Sequence, residues 1–424
     1  MTTSELLSGR SGCECGRDHA CPIRYLKIGE GAIGYLSVST AEYKRILLVA
    51  DENTDGAAGA AVEEVIGDRT VGRVIFGKEL LIPDEAAIKR IEDAVGEDTE
   101  LIVGIGSGVI NDLCKHVSHK MGMRYQIVAT APSMDGYASV GAALILDGMK
   151  VTLNAAVPEA IIADTGVLCR APKEMILAGF GDIMGKYSCL CDWRLAQAVR
   201  GEYFCDFVYS ATLDTVERTR AVTDGIARCE PEAIGVLAEA LITVGILMAY
   251  VGSSRPASGA EHHLSHYFEI VGILRGEPYL AHGTDVFYST AITAKMRERL
   301  IKEVDFRNTP PTLDKKTRDS EIGRVYGKIA DGVIALGERV GLHGECEERI
   351  SIYRERWDEI KEILAEAPCY DEIVGLIGKV GLDIGELYEV YGDGKIRDAM
   401  LWAKELKDRY TALWAYTDLF GYEG

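Results

Sequence analysis

The chain has 424 residues, enough to bury a large core in about two or three domains. Its 46 glycines against 11 prolines suit an α/β enzyme with tight strand-to-helix turns and exclude a disordered or fibrous chain. A formal net charge of −20 argues against nucleic acid or an anionic membrane as partner, while a small anionic substrate needs only a local cationic pocket.

The N-terminus, "MTTSELLSGRSGCECG", has no apolar core of a signal peptide. The eleven cysteines, an odd number, read as reduced thiols of a cytoplasmic protein, mostly small core residues. Cys13, Cys15, His19 and Cys21 have the residue types of a metal site. The CxC spacing is a poor zinc signature, however, and no second CxxC pair accompanies it.

Next comes "KRILLVADENT", a short apolar run ending in acid, which predicts a parallel strand and its exit loop. "VGRVIFG", "TELIVGIGSG" and "YQIVATAPS" follow, separated by helical stretches, and this alternation predicts a parallel sheet covered on both faces. "ALILDGMKVTLN" reads as a hairpin turning at Asp147-Gly148. From residue 170 onward the periodicity is helical, as in "PEAIGVLAEALITVGILMAYVG" and "RDAMLWAKELKDRYTALWAYTDLF". The uncharged run Ala240–Ser254 is shorter than the ~20 residues a membrane span needs, so a buried helix is expected there and no membrane span. The predicted layout is an α/β, Rossmann-like domain over 1–169 and an all-helical domain over 170–424.

Within "LIVGIGSGVINDLCKHVSHK", a strand, the loop Gly104, Gly106, Ser107 and Gly108, and a helix from Asn111 follow in order. Glycine lets a backbone approach a ligand, and the N–H groups at a helix start attract anionic oxygens, so a pyrophosphate is the expected guest. The loop is not GxGxxG, and glycine there can equally serve packing. Asp51, at the end of an earlier strand, offers an acid for a ribose diol.

"GAEHHLSHYFE" puts His262, His263 and His266 within five positions. His262 and His266 share a helix face, but so can His263 and His266, and spacing does not choose between them. The second position of the HxxxH pair is His263 rather than Glu, which removes the general base of a zinc protease. His282 in "LAHGTDV" and Asp182 in "AGFGDIMGKYSCLCDW", expected to open a helix after Gly179 and Gly181, complete a mixed O/N donor set. Such a set suits zinc, iron or nickel with positions left for substrate.

Together and in this order, "GIGSGVINDLCK", "TAPSMDGYASVGAAL", "AGFGDIMGKYS", "SRPASGAEHHLSHYFE" and "AHGTDV" resemble the metal-dependent glycerol dehydrogenase and dehydroquinate synthase-like superfamily. Within it, the chain is most similar to the sn-glycerol-1-phosphate dehydrogenases of the bacterial AraM type, over about residues 20–300. The resemblance implies the dehydroquinate synthase-like fold and one divalent metal ion (nickel, zinc or iron) on Asp182, His262 and His282. It also implies NAD(H) or NADP(H) contacted by Gly108, Val109, Ile110, Asn111, Asp112, Thr130, Ala131, Pro132, Ser133 and Ser139, with Asp51 at the ribose.

Asp135 and His266 are the implied catalytic groups facing substrate, beside the metal-bound end at Asp182. Lys186 and Arg255 are candidates for a substrate phosphate, and His263 is expected in a supporting position or at the surface. The implied reaction is reversible reduction of dihydroxyacetone phosphate to sn-glycerol 1-phosphate, in a cytoplasmic homodimer serving phospholipid backbone synthesis. A glycerol or polyol dehydrogenase is the nearest alternative. A dehydroquinate synthase-like lyase is further off, because that family presents Glu where this chain has Asp182, and a dinucleotide-binding protein without catalysis is the remaining reading.

Overall fold

A computed structural model describes residues 3–79, 81–146, 149–308 and 310–422. The chain forms two compact units, one of Met1–Ile183 with Ser210–Ser253, the other of Met184–Tyr209 with Ser254–Gly424.

The first unit is built on six parallel strands, β1 (Tyr25–Gly29), β2 (Ile46–Asp51), β3 (Thr70–Phe76), β4 (Leu101–Gly106), β5 (Arg124–Ala129) and, later in the chain, β8 (Ala160–Asp164). Their order is β1-β8-β5-β4-β2-β3. Strands β4 and β8 are buried along their whole length, as is β2 up to Ala50. That is why "ILLVA" and "LIVGIG" read as continuous apolar runs rather than alternating ones. On one face Leu48, Ala50, Val103, Ile105 and Val128 pack against Val62 and Ile66 in a single cluster. The predicted hairpin is present as antiparallel β6 (Gly141–Leu146) and β7 (Met149–Asn154), in register from Leu146 opposite Met149; its Asp147-Gly148 turn lies outside the described residues.

From β2 the chain runs to β3 on one side, then crosses back to place β4 on the other side of β2. The strand order therefore reverses between β2 and β4, and the carboxyl ends of those strands flank the crevice where open α/β sheets bind ligands. Asp51 ends β2, and Gly106 ends β4 before helix α1 (Gly108–Met121).

Beyond β8 the described residues contain helices and no further strand. Helix α2 (Lys173–Met184) corrects one expectation: Gly179, Gly181 and Asp182 all lie inside it, so Asp182 sits near its end instead of opening a helix. Glycine is tolerated there because tertiary packing demands it. A Cβ on Gly179 would lie 1.8 Å from the carbonyl oxygen of Pro132.

Helix α4 (Pro231–Val251) is 21 residues long with hydropathy 2.1, so length and composition alone would let it cross a membrane. It carries Glu232 and Glu239, and 78% of its apolar window is buried within the protein, as for the core helix of a folded domain.

The second unit contains α3 (Lys186–Arg200), α5 (Ala260–Arg275) and α6 (His282–Glu303). The C-terminal segment with helical periodicity spans the end of α7 (Gly385–Trp402) and the whole of α8 (Ala412–Phe420). The break between them is fixed by α3, whose Asp192 accepts from the N–H of Ala412 at 2.7 Å.

Candidate active site

The glycines of the β4–α1 turn divide between two jobs. A Cβ on Gly106 would lie 2.5 Å from Cβ of Ile110, and one on Gly104 would meet Cys114 Sγ and Ile127 Cδ1 at 3.0 Å, so both serve close helix–strand packing. A Cβ on Gly108 would meet only Met134, at 3.8 Å, so its backbone can be approached. Ile110 is buried against Gly106, which leaves its backbone as the part able to contact a ligand.

Ser107 and Ser133 join the turn to the loop after β5 through an Oγ–Oγ hydrogen bond of 2.6 Å, and the Thr130 N–H donates to the Gly106 carbonyl at 3.1 Å. Within that loop, Ala131 accepts from the Tyr137 hydroxyl at 2.7 Å. Asn111 is fully buried, and its Oδ1 has no partner among the described residues. A buried carbonyl oxygen left unmet is costly, which marks the helix start as a place for a donor from outside the chain. Asp51 caps the helical turn after β2, accepting from Asn53 and Thr54 N–H at 2.8 and 2.9 Å, both on Oδ1.

Lys115 lies in "GIGSGVINDLCK", where spacing gives it no role. Its ammonium is buried and donates to the carbonyls of Gly136 and Gly141, each at 2.8 Å, and to Ser139 Oγ at 3.3 Å. Burial lowers its pKa, with Asp112 at 3.5 Å opposing the shift. Three bonds from one cation fix the turn that carries Asp135 and Ser139, while Asp112 Oδ2 accepts from Ala143 N–H at 3.1 Å. The N–H of Asp135 donates to Oδ2 of Asp182 at 3.0 Å, so these two acids are brought together within the first unit. Asp182 is fully buried.

In the second unit three imidazoles converge. Ring centroids are 5.2 Å apart for His262 and His282, 5.4 Å for His266 and His282, and 6.0 Å for His262 and His266. A ligand nitrogen of His262 and one of His282 lie within 4.8 Å of each other. His262 Nδ1 is 2.7 Å from Glu261 Oε1, and His282 Nδ1 is 3.3 Å from Ser265 Oγ. With Nδ1 engaged on each ring, Nε2 is the nitrogen able to ligate, the arrangement usual for metal-binding histidines. Burial raises the Glu261 carboxyl, but its bonds to His262 and to Gly259 N–H prevail and hold it below its ordinary range.

The start of α5 is pressed onto α3. A Cβ on Gly259 would lie 2.5 Å from Asp192 Oδ2, and that oxygen accepts from Ala260 N–H at 2.6 Å. Burial, reinforced by Glu261, pushes the Asp192 carboxyl up to about 7.

His263 is not at the surface. It is fully buried, neither ring nitrogen has a partner among the described residues, and burial beside Arg409 drives its pKa well below 6.5. Lys186 is buried at the start of α3. Arg255 is buried too, but Nε and Nη2 both donate to the Glu202 carboxylate and Nη1 to the Tyr410 carbonyl. Its guanidinium fork is spent inside the fold. Lys115 and Gly179 leave no pattern in sequence as positioning residues because they meet backbone atoms distant in the chain, whereas Glu261 stands directly beside its partner His262.

Residues 27–172 match the family described as iron-containing alcohol dehydrogenase. Over 294 residues the chain is 36% identical to the glycerol-1-phosphate dehydrogenase of Halalkalibacterium halodurans, covering 68% of this chain and 74% of that protein. Over 390 residues it is 31% identical to the enzyme of the same name from Geobacillus thermodenitrificans, covering 90% and 89%. Among solved structures, the alcohol dehydrogenase from Oenococcus oeni is similar in fold, with a TM-score of 0.59, 14% identity, and coverage of 94% of this chain and 97% of that one.

Proposed function

The chain belongs to the glycerol-1-phosphate dehydrogenase family, and on that premise we propose that it reversibly reduces dihydroxyacetone phosphate to sn-glycerol 1-phosphate with NADH or NADPH. The observation that carries the reading is the pair His262 and His282, each with Nδ1 engaged, with His266 beside them.

The residues fit a divalent cation such as zinc, nickel or iron. Two imidazoles with oriented rings and a buried carboxylate, Asp182, whose Oδ2 is already fixed by a backbone N–H, are the donor types of a mixed N/O set. They also fit a dinucleotide, through the strand-order reversal at β2 and β4, the open Gly108 backbone and the unmet Asn111 Oδ1. When bound, the cation supplies Lewis-acid polarisation of the substrate C2 oxygen and the nicotinamide supplies or accepts the hydride.

The chain's own residues do the rest. Asp182, His262 and His282 hold the cation. Gly108 to Asp112, Thr130 to Ser133 and Ser139 bind the dinucleotide, with the pyrophosphate at the α1 N-terminus and a ribose hydroxyl donating to Asp51. His266 orients the C2 hydroxyl and relays its proton, a task suited to an imidazole near neutral pH. Asp135 accepts from a substrate hydroxyl. Lys186 pairs with the phosphate; Arg255 could do so only by surrendering Glu202, which would leave a carboxylate without its cation. Dinucleotide binding falls mainly to residues 1–169, and metal and substrate binding to 170–424. The enzyme acts as a cytoplasmic homodimer, a state that light scattering checks directly.

The test is NADH oxidation by metal-free protein reconstituted with zinc, nickel or iron, offered dihydroxyacetone phosphate or dihydroxyacetone. Metal-dependent turnover of the phosphate supports the proposal. Turnover of the uncharged ketone alone would move the protein to the polyol dehydrogenases, and turnover of neither would overturn the dehydrogenase reading.

A further inference from the structure

We propose that the N-terminal arm carries a second metal site, in which Cys13, Cys15 and His19 hold a zinc-class divalent cation with a structural role. These three residues each offer one ligand atom, and the atoms lie within 4.8 Å of one another. Cys13 and His19 are buried at 7% and 3% exposure. Cys21, which the sequence grouped with them, is not in this set.

The chemistry of His19 is specific. Its Nδ1 lies 3.0 Å from the Tyr250 carbonyl oxygen, which can only accept, so Nδ1 carries the proton and Nε2 presents the lone pair. Nε2 is 3.5 Å from Cys15 Sγ. Zinc bound to sulfur at about 2.3 Å and to nitrogen at about 2.0–2.1 Å, with a tetrahedral angle between them, requires a sulfur–nitrogen separation of about 3.5 Å. The ring is further held by stacking on Tyr250, with centroids 5.1 Å apart and planes 5° from parallel. A metal-ligating histidine whose other nitrogen donates to a backbone carbonyl is a common supporting arrangement.

The arm has reason to need a cation. Between Arg10 and Arg24 it forms neither helix nor strand. Its loop is closed by one antiparallel bridge, with Arg10 and His19 exchanging N–H···O bonds of 2.8 Å. Gly9 must be glycine at that bridge: φ is +74° and a Cβ would lie 2.7 Å from the His19 carbonyl oxygen. The Gly16 N–H donates to the Cys13 carbonyl at 2.9 Å, turning the chain back between the two thiols. So short a segment buries little apolar surface of its own, and in such segments metal binding supplies free energy of folding.

The arm is fastened to α4. Thr3 Oγ1 bonds Glu239 at 2.7 Å and Thr243 at 2.8 Å, and the Tyr250 hydroxyl donates to the Leu6 carbonyl. Helix α4 in turn backs the Asp135 turn, since a Cβ on Gly245 would lie 2.9 Å from the Asp135 carbonyl oxygen. The cation therefore braces the helix behind the active-site turn and takes no part in the reaction.

The test uses the full-length protein without an affinity tag. Metal analysis of wild type, His262→Ala and the double variant Cys13→Ser/Cys15→Ser is combined with zinc-edge X-ray absorption of wild type. We expect two equivalents per chain in wild type, one surviving His262→Ala and one surviving the double serine variant. Cobalt-substituted wild type and His262→Ala should both show thiolate-to-cobalt charge transfer, which the double variant loses.

Because the dehydrogenase site offers no sulfur donor, sulfur scattering in wild type reports the arm even if the serine variant fails to fold. Two sulfurs would leave the fourth position to water, and three would add another thiol. Both counts support the site. A single equivalent lost entirely with His262→Ala, or zinc with no sulfur neighbour, would overturn it.

Discussion

Gly179→Ala isolates how the fold places the candidate site. On helix propensity alone the change gains about 1 kcal/mol. Here the new methyl would sit 1.8 Å from the Pro132 carbonyl oxygen and 2.8 Å from its carbon, where ordinary contact begins at 3.4 Å. Backbone, not a flexible side chain, stands in the way, so α2 or the 130–133 loop must retreat by more than an ångström. Overpacking of this kind costs about 1–3 kcal/mol, enough to cancel the propensity gain and leave a net loss.

The functional cost should exceed the loss of stability. Asp182 is three residues along the same helix, and Ser133, which bonds Ser107 at 2.6 Å, directly follows Pro132. A misplacement of about 1 Å can cost on the order of 100-fold in rate. Urea unfolding and steady-state kinetics with NADH would read both effects. Gly375→Ala is the control, because a Cβ there meets nothing within 4 Å in helix Tyr370–Lys379, and it should stabilise by up to about 1 kcal/mol with unchanged kinetics. If Gly179→Ala behaved like Gly375→Ala, the claim that α2 is seated on the 130–133 loop would be wrong.

Lys115→Met keeps the volume but removes the donor shared by Gly136, Gly141 and Ser139; we expect about 2 kcal/mol lower stability and a raised KM for the ketone substrate, and an unchanged KM would refute the positioning role. Glu261→Gln weakens the charge that orients His262 Nδ1 and should lower metal affinity at the dehydrogenase site about 10-fold, as measured by competition with a chelator. Asp285 is buried and its carboxyl is raised well above 3.8, so the native state keeps a proton that the unfolded chain releases. Its contribution to stability is therefore present below about pH 4 and is lost as pH rises toward the folded value. Asp285→Asn retains an acceptor for the Tyr391 hydroxyl, so relative to wild type it should gain stability at pH 8 over pH 5, and equal effects at both would contradict the assignment.

Strands β2 to β5 and the glycine turn before α1 were legible in sequence because strand burial on both faces and tight turns are local demands on residue type, whereas their order in the sheet came only from the fold. The family likeness, carried by five ordered motifs, names His262, His266 and His282, whose rings lie close together in the fold. What sequence left open was which partner each polar group finds. Nothing local tells that Arg255 is spent on Glu202 and Tyr410, that His263 is sealed in the core, or that Gly179 exists to admit the backbone of Pro132.

The same holds for the arm. The CxC spacing reads poorly as a metal motif, and only the fold brings the Tyr250 carbonyl, 231 positions away, to set the tautomer of His19. Residue type and periodicity fix which elements form. Partners far apart in the chain are chosen by packing, since a buried donor, acceptor or charge must be matched by whatever the tertiary structure delivers to it.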